Sequence, residues 1–293
     1  MKKLLACLLT LVLLAGLGLA ATLPAAAAEN PFAPPANLNE LSAAEQLEYF
    51  NLVVNRVRSE RPGFSVRARH RIDDLQVSGL AAIVTPIINQ MVAQLMPGHW
   101  VNWTIANGED NTWFFMSGNA NASDLRPQDI TSITSARAGN NWVIDVRIRE
   151  ETNPAAGLGS AHGRIAYILT REQILDEILF ETGDLVTINP NDVTVRYHNG
   201  FARLTVNPQG YVIAAASGFR VLAQANNISI GPVTTNLTVA QSTELQQANF
   251  SWTDDSLPFP PSAAPEMELS WWQRLPACMQ WVLRWVFFGW IWM

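Results

Sequence analysis

The spacing of apolar residues changes along the chain and divides it into helical and extended parts. Between residues 43 and 60 apolar side chains recur every three or four positions, which is typical of a helix with one buried face: Leu47, Phe50, Val54 and Val57. Ser42 and Glu45 precede this pattern as a capping box, and Pro62-Gly63 follows it. The sequence therefore predicts a helix from about 43 to 60.

The next segment alternates between apolar and polar residues, which predicts a strand over 64–72. Its apolar face carries Phe64, Val66, Ala68 and Ile72. Its polar face carries three arginines that we call the arginine comb: Arg67, Arg69 and Arg71. The almost wholly apolar stretch that follows predicts a buried helix over 81–96, which is too short and too polar for a membrane span.

Further elements are predicted up to residue 180. They are strands over 100–106 and 112–117, a short helix over 126–132, a hairpin of 132–138 with 142–150, and a helix from a second capping box at Thr170 and Gln173 to Phe180. In the last hairpin strand Trp142, Ile144, Val146 and Ile148 are expected to face inward.

Beyond residue 183 the pattern alternates almost without interruption. It predicts strands at about 184–189, 192–198, 201–206, 211–217, 219–225, 228–239 and 244–253. The turns between them are predicted at Asn199-Gly200, Asn207–Gly210, Ser217-Gly218 and Asn226-Asn227. Short links require antiparallel neighbours. The predicted fold is α+β, a curved antiparallel meander with two or three helices packed on one face, forming one domain over 41–253. A division near 183 is the less favoured alternative.

The first 28 residues have the order of a secretory signal peptide, with Lys2 and Lys3, an apolar run, and small residues up to Ala28. An uncleaved membrane anchor is the alternative. Cys7 lies too close to the start for a lipoprotein signal. Residues 29–40 are predicted to be a linker. Removal of the leader leaves Cys278 as the one cysteine, so the fold must be held together by packing.

The other end of the chain is unusually rich in tryptophan. Residues 254–268 form a proline-rich tether, and six of the eleven tryptophans lie in the segment 269–293. Tryptophan prefers the lipid–water boundary. The residues expected to contact a membrane are Trp271, Trp272, Trp281, Trp285, Phe288, Trp290 and Trp292. Arg284 favours a helix lying in the interface over a span, and docking onto a protein surface is the remaining alternative.

Composition excludes several kinds of chemistry. The net charge of −6 becomes −8 without the leader, from 17 basic and 25 acidic residues, and no lysine remains. Schiff-base lysines, pyridoxal-type cofactors and a phosphate-binding P-loop lysine are thereby excluded, and the acidic balance argues against nucleic acid as a partner.

Catalytic motifs are lacking as well. The four histidines show no metal-ligand spacing, the paired acids Asp73-Asp74 and Glu150-Glu151 point to opposite strand faces, and residues 157–163 are expected to be a flexible loop. We predict no catalytic residue, no cofactor and no metal. The arginine comb could bind the phosphates of lipid headgroups or an anionic envelope polymer, or it could pair with acids on neighbouring strands.

Several short motifs together resemble a group of uncharacterised exported, surface-associated proteins of anaerobic Gram-positive bacteria. They are Glu48-Tyr49-Phe50-Asn51 with Asn55-Arg56-Val57, the loop 153–159, the turn 207–211, and the ending 288–293. The resemblance implies export and surface attachment, and carries over no functional residue. The curved sheet also resembles, in architecture alone, the periplasmic lipoprotein carriers.

The sequence thus favours a non-enzymatic envelope protein held on the outer face of the membrane by its tail. Its body would be an interaction module that takes a lipidic or apolar ligand between sheet and helices, near Trp113, Phe115, Trp142 and 81–96, although the same residues suit an ordinary core. The alternatives are a secreted hydrolase whose site forms only in three dimensions, and a structural surface-assembly component.

Overall fold

A computed structural model describes residues 30–78, 98–109, 114, 123–166, 168–182, 186–230 and 233–252. From Pro34 onward these residues belong to one compact unit. The predicted leader, the helix over 81–96, the strand over 112–117 apart from Phe114, and the tether and aromatic tail from residue 254 lie outside the described residues. Within the described part, no helix has both the length and the apolar character needed to cross a membrane.

The first long helix, α1, spans Ala43–Glu60 as predicted. The Ser42 hydroxyl accepts a hydrogen bond from the Glu45 N–H, and the Glu45 carboxylate accepts one from the Ser42 N–H at 2.9 Å. Arg61 ends the helix in a left-handed conformation with φ of 48°. Leu47, Phe50 and Val54 on its buried face are each at most 2% exposed, so packing against the sheet stabilises the helix.

The strands form an antiparallel sheet in which the predicted α+β fold is confirmed. The nine described strands are β1 (Gly63–Val77), β2 (Val101–Ile105), β3 (Ile130–Ala138), β4 (Asn141–Ile148), β5 (Glu151–Thr152), β6 (Val186–Thr187), β7 (Val193–Val206), β8 (Val212–Ile230) and β9 (Val233–Ser251). Their order is β2-β1-β9-β8-β7-β4-β3, with β5 paired to β7 and β6 to β8. The first described strand, β1, thus pairs with the last, β9.

The helices cover one face of this sheet. Besides α1, they are α2 (Ala161–Ile165) and α3 (Arg171–Thr182), the latter opened by the predicted capping box of Thr170 and Gln173. Side chains from α1, α3 and the inward positions of the strands form one apolar cluster. Its inward residues on β4 are those predicted: Trp142, Ile144, Val146 and Ile148.

Three predicted turns are wrong, because the strands continue through them. β7 runs through Asn199-Gly200, and β8 runs through both Ser217-Gly218 and Asn226-Asn227, with shifts in register near the first and last of these pairs. Asn199 and Asn227 take positive φ values of 54° and 52°, so the residues that favour turns serve bulges instead. The turn at Asn207–Gly210 is confirmed.

The glycines in two of these pairs are required by close packing. A Cβ atom on Gly200 would lie 2.6 Å from His162 Nε2, and one on Gly218 would lie 2.6 Å from the Thr243 carbonyl oxygen. Neither position could hold a larger residue without displacement of its neighbours.

Three shorter segments also differ from expectation. The helix predicted over 126–132 is one 3₁₀ turn at Pro127–Asp129, because β3 begins at Ile130. The flexible loop predicted over 157–163 contains a 3₁₀ turn and α2. The linker predicted over 29–40 includes a 3₁₀ turn at Leu38–Glu40, and the Leu38 side chain is fully buried in the core. The folded body therefore begins before residue 41.

Candidate functional site

The sheet face opposite the helices is polar and rich in arginine. Strand pairing places Thr134, Asp145, Arg203, Ala216, Gln246, Arg67 and Asn102 in one row across seven strands. The next row contains Ser132, Arg147, Phe201, Gly218, Glu244 and Arg69. We call this surface the open face.

A shallow hollow of about 350 Å³ lies on the open face over β3, β4 and β7. Its lining residues are Ser132, Thr134, Ala136, Val143, Asp145, Arg147 and Arg203. Asp145 holds both arginines: its Oδ1 accepts from Arg147 Nε at 2.8 Å, and its Oδ2 accepts from Arg203 Nε at 2.7 Å. Two guanidinium groups and one carboxylate leave one net positive charge in the hollow.

The side chains around the hollow hold Arg147 in place. Its guanidinium lies 5.5 Å from the centre of the Phe201 ring. That ring in turn packs on Gly218, since a Cβ atom there would lie 2.9 Å from Phe201 Cε1. The arginine is therefore positioned by an ion pair and by an aromatic contact.

The arginine comb lies at the other side of the open face, on β1. Arg67 and Arg69 place their guanidinium groups 4.6 and 4.8 Å from the centre of the Trp100 ring. Arg69 pairs with Glu244 of the neighbouring strand at 2.7 Å, and Arg71 pairs with Asp73 at 2.6 Å. The structure thus brings all three predicted arginines to one surface and pairs two of them with acids.

A second constellation, which the sequence did not predict, is a buried Glu151–His162 pair. Glu151 on β5 accepts hydrogen bonds from the N–H groups of Ala161 and His162 at the start of α2, at 2.9 and 3.0 Å. Its Oε2 also lies 2.8 Å from His162 Nδ1. Burial raises the pKa of Glu151, but the hydrogen bonds from His162 and Ala161 outweigh burial and hold that pKa below its ordinary value.

A carboxylate and an imidazole are the groups of an acid–base dyad, but the imidazole of this pair is not accessible to solvent. His162 is 0% exposed, and its ring is enclosed by Tyr197 and Phe219, with ring centres at 5.5 and 6.1 Å. Its Nε2 points at the backbone of Gly200 and has no hydrogen-bond partner in the described part of the chain. No substrate atom can reach the imidazole in this packing, so the pair anchors α2 to β5.

The structure describes only one of the residues predicted to line a ligand space or to contact a membrane. Trp142 is 1% exposed and belongs to the apolar core. Trp113, Phe115 and the seven residues expected to contact a membrane lie outside the described residues. Among the side chains that the structure describes, no group of three or more histidine, cysteine, aspartate or glutamate residues is placed to hold a metal ion.

Sequence patterns could have indicated the open face but not the hollow. The alternation on β4 placed Asp145 and Arg147 outward, whereas their meeting with Arg203 depends on β7 pairing with β4, 58 residues away in the chain. The Glu151–His162 pair could not be predicted either, because it depends on α2, which lies where the sequence predicted a flexible loop.

Comparison with known proteins adds no functional information to this geometry. No known protein family, no curated protein sequence and no solved structure matches the chain.

Proposed function

We propose that this chain is an exported cell-envelope protein, held at the outer face of the membrane by its aromatic tail, whose body is a non-enzymatic binding module. The observation that carries the proposal is the placement of six of eleven tryptophans after a proline-rich tether. Indole rings are more stable at the lipid–water boundary than in water, and a proline-rich segment separates them from the folded body.

The last described residues support a fixed point of attachment for that tether. The Trp252 indole N–H donates to the Val212 carbonyl oxygen at 2.9 Å, and its ring lies 5.0 Å from the Tyr211 ring. Arg56 of α1 lies over the same two rings. The end of β9 is therefore fastened to α1 and to the start of β8.

The open face supports a role in binding rather than in catalysis. It presents arginine, acid and hydroxyl groups on rigid strands, which suits the recognition of a charged polymer or headgroup. The partners we propose are the membrane surface and a lipid or anionic envelope polymer, with no nucleic acid. The enclosed Glu151–His162 pair offers no acid–base group to such a ligand.

The tether is tested by vesicle sedimentation with the chain from which the leader has been removed. We expect the full chain to pellet with vesicles of phosphatidylglycerol and phosphatidylcholine, and a variant ending at Pro265 to stay in the supernatant. A full-length control with Trp281, Trp285 and Trp292 changed to Gln keeps the tether and should also lose binding. Equal partitioning of all three proteins would overturn the proposal.

Export is tested separately by fractionating cells that produce the whole chain. We expect the protein at the cell exterior, with its N-terminus beginning near Glu29 when sequenced. Protein retained inside the cell with Met1 or Lys2 at its N-terminus would contradict the assignment of residues 1–28 as a signal peptide.

A further inference from the structure

We propose that the hollow over β3, β4 and β7 is a binding site for a phosphate group, held by the guanidinium groups of Arg147 and Arg203. The site consists of described residues alone. Only the origin of the phosphate, in an envelope polymer or a lipid headgroup, rests on the proposed function.

The donors needed for an anion are present in the hollow. A guanidinium carries five N–H groups. Arg147 directs Nε and Nη2 toward Asp145, at 2.8 and 3.4 Å, and Arg203 directs Nε and Nη2 toward the same carboxylate. Among the described residues, no hydrogen bond or ion pair involves the Nη1 group of either arginine, and both side chains are about half exposed, at 48% and 51%.

The charge in the hollow also favours an anion. Asp145 neutralises one of the two arginines and is itself 14% exposed, so the surface that a ligand meets is mainly guanidinium. One negative ligand charge would balance the remaining positive one. A phosphate has enough oxygen atoms to accept hydrogen bonds from both arginines at once. The planar guanidinium group matches the geometry of these oxygens better than the ammonium group of a lysine would.

The lining indicates which part of a ligand the hollow contacts. Ser132 and Thr134 add hydroxyl groups, and Ala136 and Val143 are small enough to leave the hollow open. No large apolar side chain is among its described lining residues. It therefore suits a phosphate group with its polar substituents and does not suit an acyl chain.

A purely structural role for these charges explains less. Ion pairs whose arginines are half exposed contribute little to stability, because water screens the guanidinium charge and the side chains lose freedom. The cluster beside the hollow is nevertheless ordered: Asp145 pairs with Arg147 and Arg203, and Arg147 also contacts the Phe201 ring. Side chains that are ordered before a ligand arrives lower the entropic cost of binding.

The test is calorimetric titration of the full chain with inorganic phosphate. We expect saturable binding, and a loss of affinity of about tenfold or more in the double variant R147Q/R203Q, because the charge-assisted hydrogen bonds to phosphate are removed. The matched control is R220Q, which removes an exposed arginine of the same face outside the hollow and should keep the affinity of the unaltered chain. Unfolding midpoints of all variants establish that the body remains folded.

The source of the phosphate is separated by two further probes. Loss of affinity for soluble poly(glycerol phosphate) in R147Q/R203Q identifies a polymer ligand. Because the tail is expected to bind vesicles by itself, a headgroup is identified by weaker binding of R147Q/R203Q than of the unaltered chain to phosphatidylglycerol vesicles, with equal binding of both to phosphatidylcholine vesicles. Absence of saturable phosphate binding, or equal affinity in the unaltered chain and R147Q/R203Q, overturns the site. Failure of the tail to bind vesicles would overturn the tether and leave the phosphate titration unchanged.

Discussion

The guanidinium carbon of Arg56 lies 4.0 Å from the centre of the Tyr211 ring, in a contact that joins α1 to the turn between β7 and β8. The Trp252 ring lies nearby, with its centre 5.4 Å from the same carbon. Arg56 also donates through Nη1 to the carbonyl oxygens of Gln209 and Gly210, at 3.3 and 3.1 Å. One buried cation therefore connects the helix, the turn and the end of the last strand.

We expect Arg56→Gln to lower the free energy of unfolding by about 2 kcal/mol, because it removes the cation–π contact and leaves two carbonyl oxygens without their donor. Chemical denaturation of the full chain measures the change. The matched control is Glu60→Gln, which removes the 2.8 Å ion pair to Arg56 Nε but keeps the aromatic contacts, and should cost less than about 1 kcal/mol. Equal losses in both variants would show that the ion pair, not the contact with the rings, matters.

Gly200→Ala should disrupt the packing of His162. The added methyl group would lie 2.6 Å from His162 Nε2 and 2.8 Å from Ile148 Cβ, so the strand or the imidazole must move. We expect a loss of about 2 kcal/mol in unfolding free energy. The control is Gly139→Asn, at a hairpin turn with φ of 63° and open space around it, where asparagine tolerates the left-handed conformation. A Gly200→Ala variant as stable as the control would contradict the close approach.

The contrast between Gly139 and Gly200 shows what the sequence could and could not predict. Both glycines stand beside an asparagine between segments that alternate as strands, so the sequence predicts a turn at each. At Gly139-Asn140 the predicted hairpin is present. At Asn199-Gly200 the same chemistry makes a bulge, because β7 continues alongside β8 after a shift of register. Both places combine glycine with asparagine, and the pairing of distant strands decides between a hairpin and a bulge.

The same limit applies to the functional residues. The period of two placed Arg67, Arg69 and Arg71 correctly on one face of β1, since side-chain direction is a local property of a strand. The partners of those arginines are a different matter. Glu244, which pairs with Arg69, lies 175 residues further along the chain and could be assigned only after the sheet order was known.

His70 gives the body a specific sensitivity to pH. It lies on β1 with Nδ1 3.1 Å from Thr243 Oγ1, and desolvation by its surroundings lowers its pKa from 6.5 to about 4. The unfolded chain therefore binds a proton between these pH values that the folded chain does not. Stability linked to His70 is fully present above pH 6.5, falls as the pH decreases, and stops falling near pH 4.

The measurement is the unfolding free energy of the full chain between pH 8 and pH 4, compared with His70→Gln. We expect the variant to lose stability less steeply between pH 6.5 and 4, because it has no imidazole to protonate on unfolding. The NMR signals of the His70 ring should remain those of the neutral form down to about pH 4. A ring that titrates near 6.5 in the folded chain, or identical slopes in both proteins, would refute the prediction.

Arg164 and Arg69 should respond very differently to the loss of their charge. Arg164 of α2 is 7% exposed, pairs with Asp129 at 3.1 Å, and also donates to Asp124. Asp129 is itself 8% exposed, so Arg164→Gln leaves a buried carboxylate without its cation. We expect a loss of about 3 kcal/mol in unfolding free energy.

The Arg69–Glu244 pair has a similar distance, 2.7 Å, but its side chains are 27% and 38% exposed. Water can solvate either partner when the other is removed, so Arg69→Gln should cost less than about 1 kcal/mol. Denaturation at low and high salt completes the comparison, because screening should reduce the small effect of Arg69→Gln and leave most of the effect of Arg164→Gln. If the two variants lost equal stability at both salt concentrations, burial would not distinguish the two ion pairs, and the expected cost of leaving Asp129 without its cation would be wrong.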